Sequence, residues 1–118
     1  MKKIVLSLFV LLYAFTFASA QEIQSGNFTF NSKSAGFNLN GGSGERFFTF
    51  DIKFEEEFGD IPKVIVGVTE IDADKNTNLR YKLEPISITS EGFTLKVKTW
   101  ADTKIFLLGG FWLAHEID

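Results

Sequence analysis

The 118-residue sequence contains no cysteine, one histidine, two prolines and one methionine. Without cysteine there is no disulfide, thiolate nucleophile, cysteine zinc site or iron–sulfur cluster. A Ser-His-Asp triad or a multi-histidine metal site would have to be built on His115 alone, near the end of the chain. That residue reads more simply as a surface side chain. No segment of helical length after residue 20 carries a 3.6-residue apolar period, and no internal repeat or low-complexity tract is present. Stability has to come from packing, from association between copies, or from both.

The first twenty residues form a separate unit. Lys2 and Lys3 precede an apolar run from Ile4 to Phe17, broken only by Ser7 and Thr16, and the run ends in Ala18-Ser19-Ala20. A basic start, a short apolar stretch and an A-x-A end make an export signal, too short and wrongly flanked to span a membrane. The expected organisation is a signal peptide over 1–20 and one mature domain over 21–118, secreted, periplasmic or held at the cell surface. Removing the signal lowers the basic count from 12 to 10 against 15 acidic side chains, a formal charge of about −5. Nucleic acid and anionic membrane are therefore poor partners.

The mature part keeps 11 of the 14 phenylalanines, since Phe9, Phe15 and Phe17 fall in the signal. Its dominant period is two. Phe28 and Phe30 alternate within Asn27–Asn31. Phe48, Phe50, Ile52 and Phe54 alternate with Phe47, Thr49, Asp51 and Lys53, and Val64, Val66 and Val68 with Ile65, Gly67 and Thr69. Leu79, Tyr81 and Leu83 oppose Arg80 and Lys82, with Pro85 marking an edge or a bulge. Phe93, Leu95 and Val97 oppose Thr94, Lys96, Lys98 and Trp100. The run from Lys104 to Ala114 is apolar on both faces. Turn signals separate the runs at Asn40–Gly44, Gly59–Pro62, Asp72–Asn78, Ser90–Gly92 and Ala101–Thr103. This is an all-β antiparallel sandwich of about six strands, with an expected core of Phe28, Phe48, Phe50, Val64, Val66, Val68, Leu95 and Val97. Phe106, Leu108 and Trp112 exceed what one core needs, which suggests a partner surface.

Three motifs carry less chemistry than they first suggest. Asp72-Ala73-Asp74-Lys75-Asn76 has the opening spacing of a calcium loop, but Thr77 replaces the turn glycine and Leu83 the closing acid. Glu55-Glu56-Glu57 with Asp60 lacks a second carboxylate held across a cleft, so glycoside hydrolysis is not supported. Asn27-Phe28-Thr29 is a formal glycosylation acceptor inside a strand. No pair of groups suits acid–base catalysis, and the chain does not read as an enzyme. Trp100 stands apart: alternation puts it on the lysine face at a strand end. It lies either exposed, as a flat platform for a sugar ring or a partner, or beneath the Gly41–Gly44 loop.

A sequence resemblance narrows this further. The ordered segments Ile23-Gln24-Ser25-Gly26, Ile61-Pro62-Lys63-Val64, Thr69-Glu70-Ile71-Asp72, Asn78-Leu79-Arg80, Ile88 to Phe93, Thr99 to Ile105 and Phe111-Trp112-Leu113-Ala114 resemble the H-type lectin domain of the snail agglutinin and discoidin type. The resemblance implies a six-stranded sandwich, associated as a homotrimer or as stacked trimers (a hexamer). It also implies binding of galactose or N-acetylgalactosamine on glycoconjugates, in clefts between protomers, without a metal or other cofactor. Residue by residue, it implies a site of Arg80, Trp100, Asp102 and Phe106 with Gly42 and Ser43 of the glycine loop. Ser43 and Ala101 stand where the snail lectin type has an aspartate and a histidine, and Phe30 and Val97 stand where it has a disulfide. The other function compatible with these features is a structural or adhesive oligomerisation module that keeps the fold without binding sugar.

Overall fold

The computed structural model describes residues 22–117, and the export signal expected over residues 1–20 lies outside them. Six strands follow in chain order: β1 (Ile23–Asn31), β2 (Arg46–Lys53), β3 (Lys63–Ala73), β4 (Tyr81–Ile86), β5 (Gly92–Thr99) and β6 (Ile105–His115). They form two antiparallel three-stranded sheets, ordered β1-β6-β3 and β2-β5-β4. None of the described residues forms a helix long and apolar enough to cross a membrane.

The period-two pattern becomes layering because alternate side chains of a strand point to opposite faces. From one sheet Phe28, Phe30, Val64, Leu108, Trp112 and Ala114 meet Phe48, Phe93, Leu95 and Val97 from the other, and Leu39, Phe54 and Phe58 close the ends from loops. Phe30 and Val97 are both buried. The central strands β5 and β6 supply the most enclosed side chains. Gly26 makes room for Trp112, whose indole would lie 2.5 Å from a β-carbon there.

The expected core needs three corrections. Phe50 has the inward phase, yet it is 46% exposed. It lies on an edge strand at the open β1/β2 side, where its ring meets only that of Phe30, 5.0 Å away. Val66 and Val68 are only partly buried, because a register shift between Val68 and Glu70 bends β3 away before Ile71 resumes the inward phase. Leu79 and Tyr81, outside that core but expected on the inward phase of their run, are 48% and 38% exposed, since β4 begins only at Tyr81. Pro85 does lie on an edge strand, where its missing donor costs no ladder bond.

The proposed partner surface also shifts. Leu108 and Trp112 are buried between the sheets, and of the three residues singled out only Phe106 is exposed. The residues of the opposite phase face outward: Phe111 is 37% exposed and covers Gly67, with Ile65 and Ile23 exposed beside it and Leu107 and Leu113 half-buried. The other sheet's outer face is different, carrying Lys82, Glu84, Asp51, Lys96 and Lys98. One outer face is mostly charged, with exposed Phe47 beneath the Lys96 ammonium, and the other is apolar along β6 and polar along β1.

Candidate carbohydrate site

The start of β2, the end of β5, the start of β6 and the segment before β4 meet at one pole of the sandwich. There the loop between β5 and β6 turns tightly through Ala101, which adopts a left-handed conformation at φ 60°. Gly44 donates its N–H to the Ala101 carbonyl over 2.9 Å, drawing the glycine loop onto this turn.

Arg46 holds the two loops together. Its Nε donates to the Gly44 carbonyl at 3.0 Å, Nη1 to that of Gly41 at 2.6 Å and Nη2 to that of Ala101 at 3.1 Å. A planar guanidinium fork suits three carbonyls converging from two loops. Gly42 and Gly44 both have positive φ, 74° and 79°, which glycine tolerates without strain. Gly42, Ser43 and Gly44 are consequently exposed on a shaped loop.

Arg80 is held from both sides of its peptide. Its N–H donates to Thr103 Oγ1 at 3.0 Å, and its carbonyl accepts from the hydroxyl of Thr99. Thr103 also donates to the Asn78 carbonyl, and both threonines are fully buried. The guanidinium then reaches Asp102, with Nη1 and Oδ1 3.4 Å apart, and the two side chains stay 41% and 49% exposed. Asp102 Oδ2 accepts the Asn78 N–H at 3.4 Å. Arg80 and Asp102 thus present donors and acceptors to solvent from an anchored backbone. Replacing Thr103 with valine keeps the shape but removes two hydrogen bonds, each worth about 0.5–1.5 kcal/mol, so stability should fall by about 1–3 kcal/mol in urea unfolding. An unchanged midpoint would mean that these hydrogen bonds are dispensable.

Trp100 is 37% exposed, which resolves the two placements left open by alternation in favour of the surface. The Lys98 ammonium lies over its ring, 5.7 Å from the centre, and 3.8 Å from Glu45, so one face of the platform carries a cation. Phe106 is 41% exposed. It is the extra residue where the register slips between Asp72–Leu107 and Ala73–Ile105, and the bulge turns its ring outward while Ile105 stays buried. The structure therefore brings together Arg80, Asp102, Trp100 and the Gly42–Ser43 loop at one pole, with Phe106 close by in sequence on β6. Reading the sequence did not assign a part to Arg46, Thr99 or Thr103. Their strand-end positions next to glycine and turn signals were the available clue, but their partners are 55, 19 and 23 residues away.

The loop from Asp72 to Asn78 closes on itself. Asp74 Oδ1 accepts the Asn76 N–H at 2.8 Å, and its own N–H donates to the Lys104 carbonyl at 2.9 Å. The loop thereby tethers the approach to β4 against the start of β6.

A two-layer sandwich with a glycine loop, an anchored arginine–aspartate pair and an exposed indole at one pole is a lectin-like binding domain. The family model of the H-type lectin domain matches residues 49–115. The product of "ATP synthase subunits region ORF 7" from Fuscovulum blasticum is 35% identical over 97 residues, 82% of this chain and 84% of that protein. A discoidin-1 polypeptide of Dictyostelium discoideum is 35% identical over 81 residues, 68% of this chain and 32% of its own length. The native structure of recombinant discoidin II from the same organism superposes with a TM-score of 0.74 at 29% identity, covering 85% of this chain and 38% of that one. The chain belongs to the H-type lectin domain family. It spans about a third of the length of the discoidins it matches.

Proposed function

We propose that this protein is an exported lectin that recognises galactose or N-acetylgalactosamine on glycoconjugates through the pole formed by Arg80, Trp100, Asp102, Phe106 and the Gly42–Ser43 loop. The observation that carries this reading is the clamping of Arg80 by two buried threonines, which fixes a charged donor group at the surface without burying it. Arg80 would donate to vicinal hydroxyls, Asp102 would accept from one, and Trp100 and Phe106 would cover the apolar face of the ring. The site takes no metal in this reading. A glycan array probed with and without chelator tests it: terminal galactose-type glycans should retain the protein equally in both. Retention on no glycan would leave the structural oligomerisation module as the function.

The apolar outer face of the β1-β6-β3 sheet supports association, and we assign it to the axis of a homotrimer, with paired trimers as the larger form. Exposed Phe111, Ile65 and Ile23 would be covered there, and a cleft between protomers would then complete each sugar site. Multivalent display strengthens a shallow single site. Sedimentation velocity should find trimer or hexamer at micromolar concentration and monomer for Phe111→Glu. A monomeric wild type would remove both the axis and the shared cleft.

A further inference from the structure

At the pole opposite Arg80, the start of β1 and the end of β2 enclose a second cleft of about 460 Å³, within the range of small-ligand sites. It is lined by Gln24, Ser25, Lys53, Glu55, Glu56 and Trp112, with Ile23 at its rim. Strands of eight residues separate the two poles by roughly 25 Å, so neither site can share a sugar ring with the other.

The cleft has a built wall. Gln24 braces it through three hydrogen bonds: Nε2 donates to the Glu56 carbonyl at 2.7 Å, while Oε1 accepts the N–H groups of Glu55 and Glu56 at 3.0 and 3.3 Å. The backbone of Glu55 and Glu56 is thereby fixed while their carboxylates stay free to face a ligand. Among the described residues, Lys53, Glu55 and Glu56 enter no ion pair.

The unusual group is Trp112. Its side chain belongs to the core, with only 7% of the residue exposed, yet its indole N–H is not among the buried unpaired groups and so reaches the surface at the cleft. The residue is buried but this one donor atom is not, so it is open to water or to a ligand. Its Nε1 lies directly against Gly26, where any β-carbon would sit 2.5 Å away and cover it. Glycine at that position leaves the polar edge of a core tryptophan uncovered beside the cleft.

We infer that this cleft is a second saccharide site. Its lining mixes donors (the Trp112 indole, the Lys53 ammonium and the Ser25 hydroxyl) with the two carboxylate acceptors. A hydroxyl both donates and accepts, so adjacent ring hydroxyls can satisfy both kinds at once. An anion would meet two carboxylates and a simple cation would meet Lys53. The inference stands apart from the Arg80 site.

The two tryptophans of the chain make the test direct, because each gives one indole N–H signal in a ¹H–¹⁵N spectrum. Trp100→Phe assigns the pair. Titration to about 100 mM with galactose, N-acetylgalactosamine, glucose and mannose should move the Trp112 signal along a saturable curve with at least one of them. That response should persist in Arg80→Ala and weaken at least tenfold in Lys53→Met combined with Glu55→Gln and Glu56→Gln. These changes leave the backbone bonds to Gln24 in place. Glycine betaine serves as the zwitterionic control. A Trp112 signal unmoved by every sugar, or moved by betaine alone, overturns the second site. A Trp100 signal unmoved by sugar speaks instead against the Arg80 site, so the two readings fail separately.

Discussion

Phe93→Ala should destabilise the protein by about 3–5 kcal/mol, a fall in Tm of more than about 10 °C for a domain of this size. Phe93 is 3% exposed on the central strand β5, and its ring packs against those of Phe54 and Trp112 with centroids 5.9 and 5.7 Å away. Removing it leaves a cavity that rigid aromatic neighbours and two sheets cannot collapse. The informative comparison is Phe50→Ala. Both residues share the inward phase of their strands, but Phe50 is half exposed on an edge, so its loss should cost only about 1 kcal/mol. Urea unfolding of the two variants measures the difference. Equal losses would mean that the open β1/β2 side is covered in solution.

The largest functional effect is expected for Arg80→Ala. If Arg80 provides charge-assisted hydrogen bonds to sugar hydroxyls, each is worth roughly 1.5–3 kcal/mol, and affinity should drop about ten- to a hundred-fold. The fold should hardly change, because the Arg80 peptide keeps its bonds to Thr99 and Thr103 whatever side chain it carries. The Arg80–Asp102 pair is solvent-exposed and contributes little to stability. Titration calorimetry with N-acetylgalactosamine on wild type and variant, alongside a thermal melt of each, separates the two effects. Equal affinity with equal stability would exclude Arg80 from the site, and the assignment of Asp102 beside it would fall too.

Strand phase and fold class were legible in the sequence, since burial on one face of a strand imposes a period of two that survives in the residue order. Phe28, Phe30, Phe48, Phe93, Leu95 and Val97 follow directly from it. Alternation singled out Trp100, and the resemblance to the H-type lectin domain added Arg80 and Asp102, which the fold gathers with it at one pole. Three things depended on tertiary structure. Which alternating strands lie at an edge is set by sheet order, and this leaves Phe50 exposed while Phe48, two residues earlier, is buried. The phase of β6 could not be read because both of its faces are apolar, so that Leu108 and Trp112 are core while Phe111 faces out. Finally, the bonds that hold the candidate site come from Arg46, Thr99 and Thr103 and reach across 19 to 55 residues of chain. Alternation is a property of neighbours along a strand and appears in the sequence itself. A hydrogen bond between distant loops exists only once both sheets have packed and the turns they carry have been brought into register.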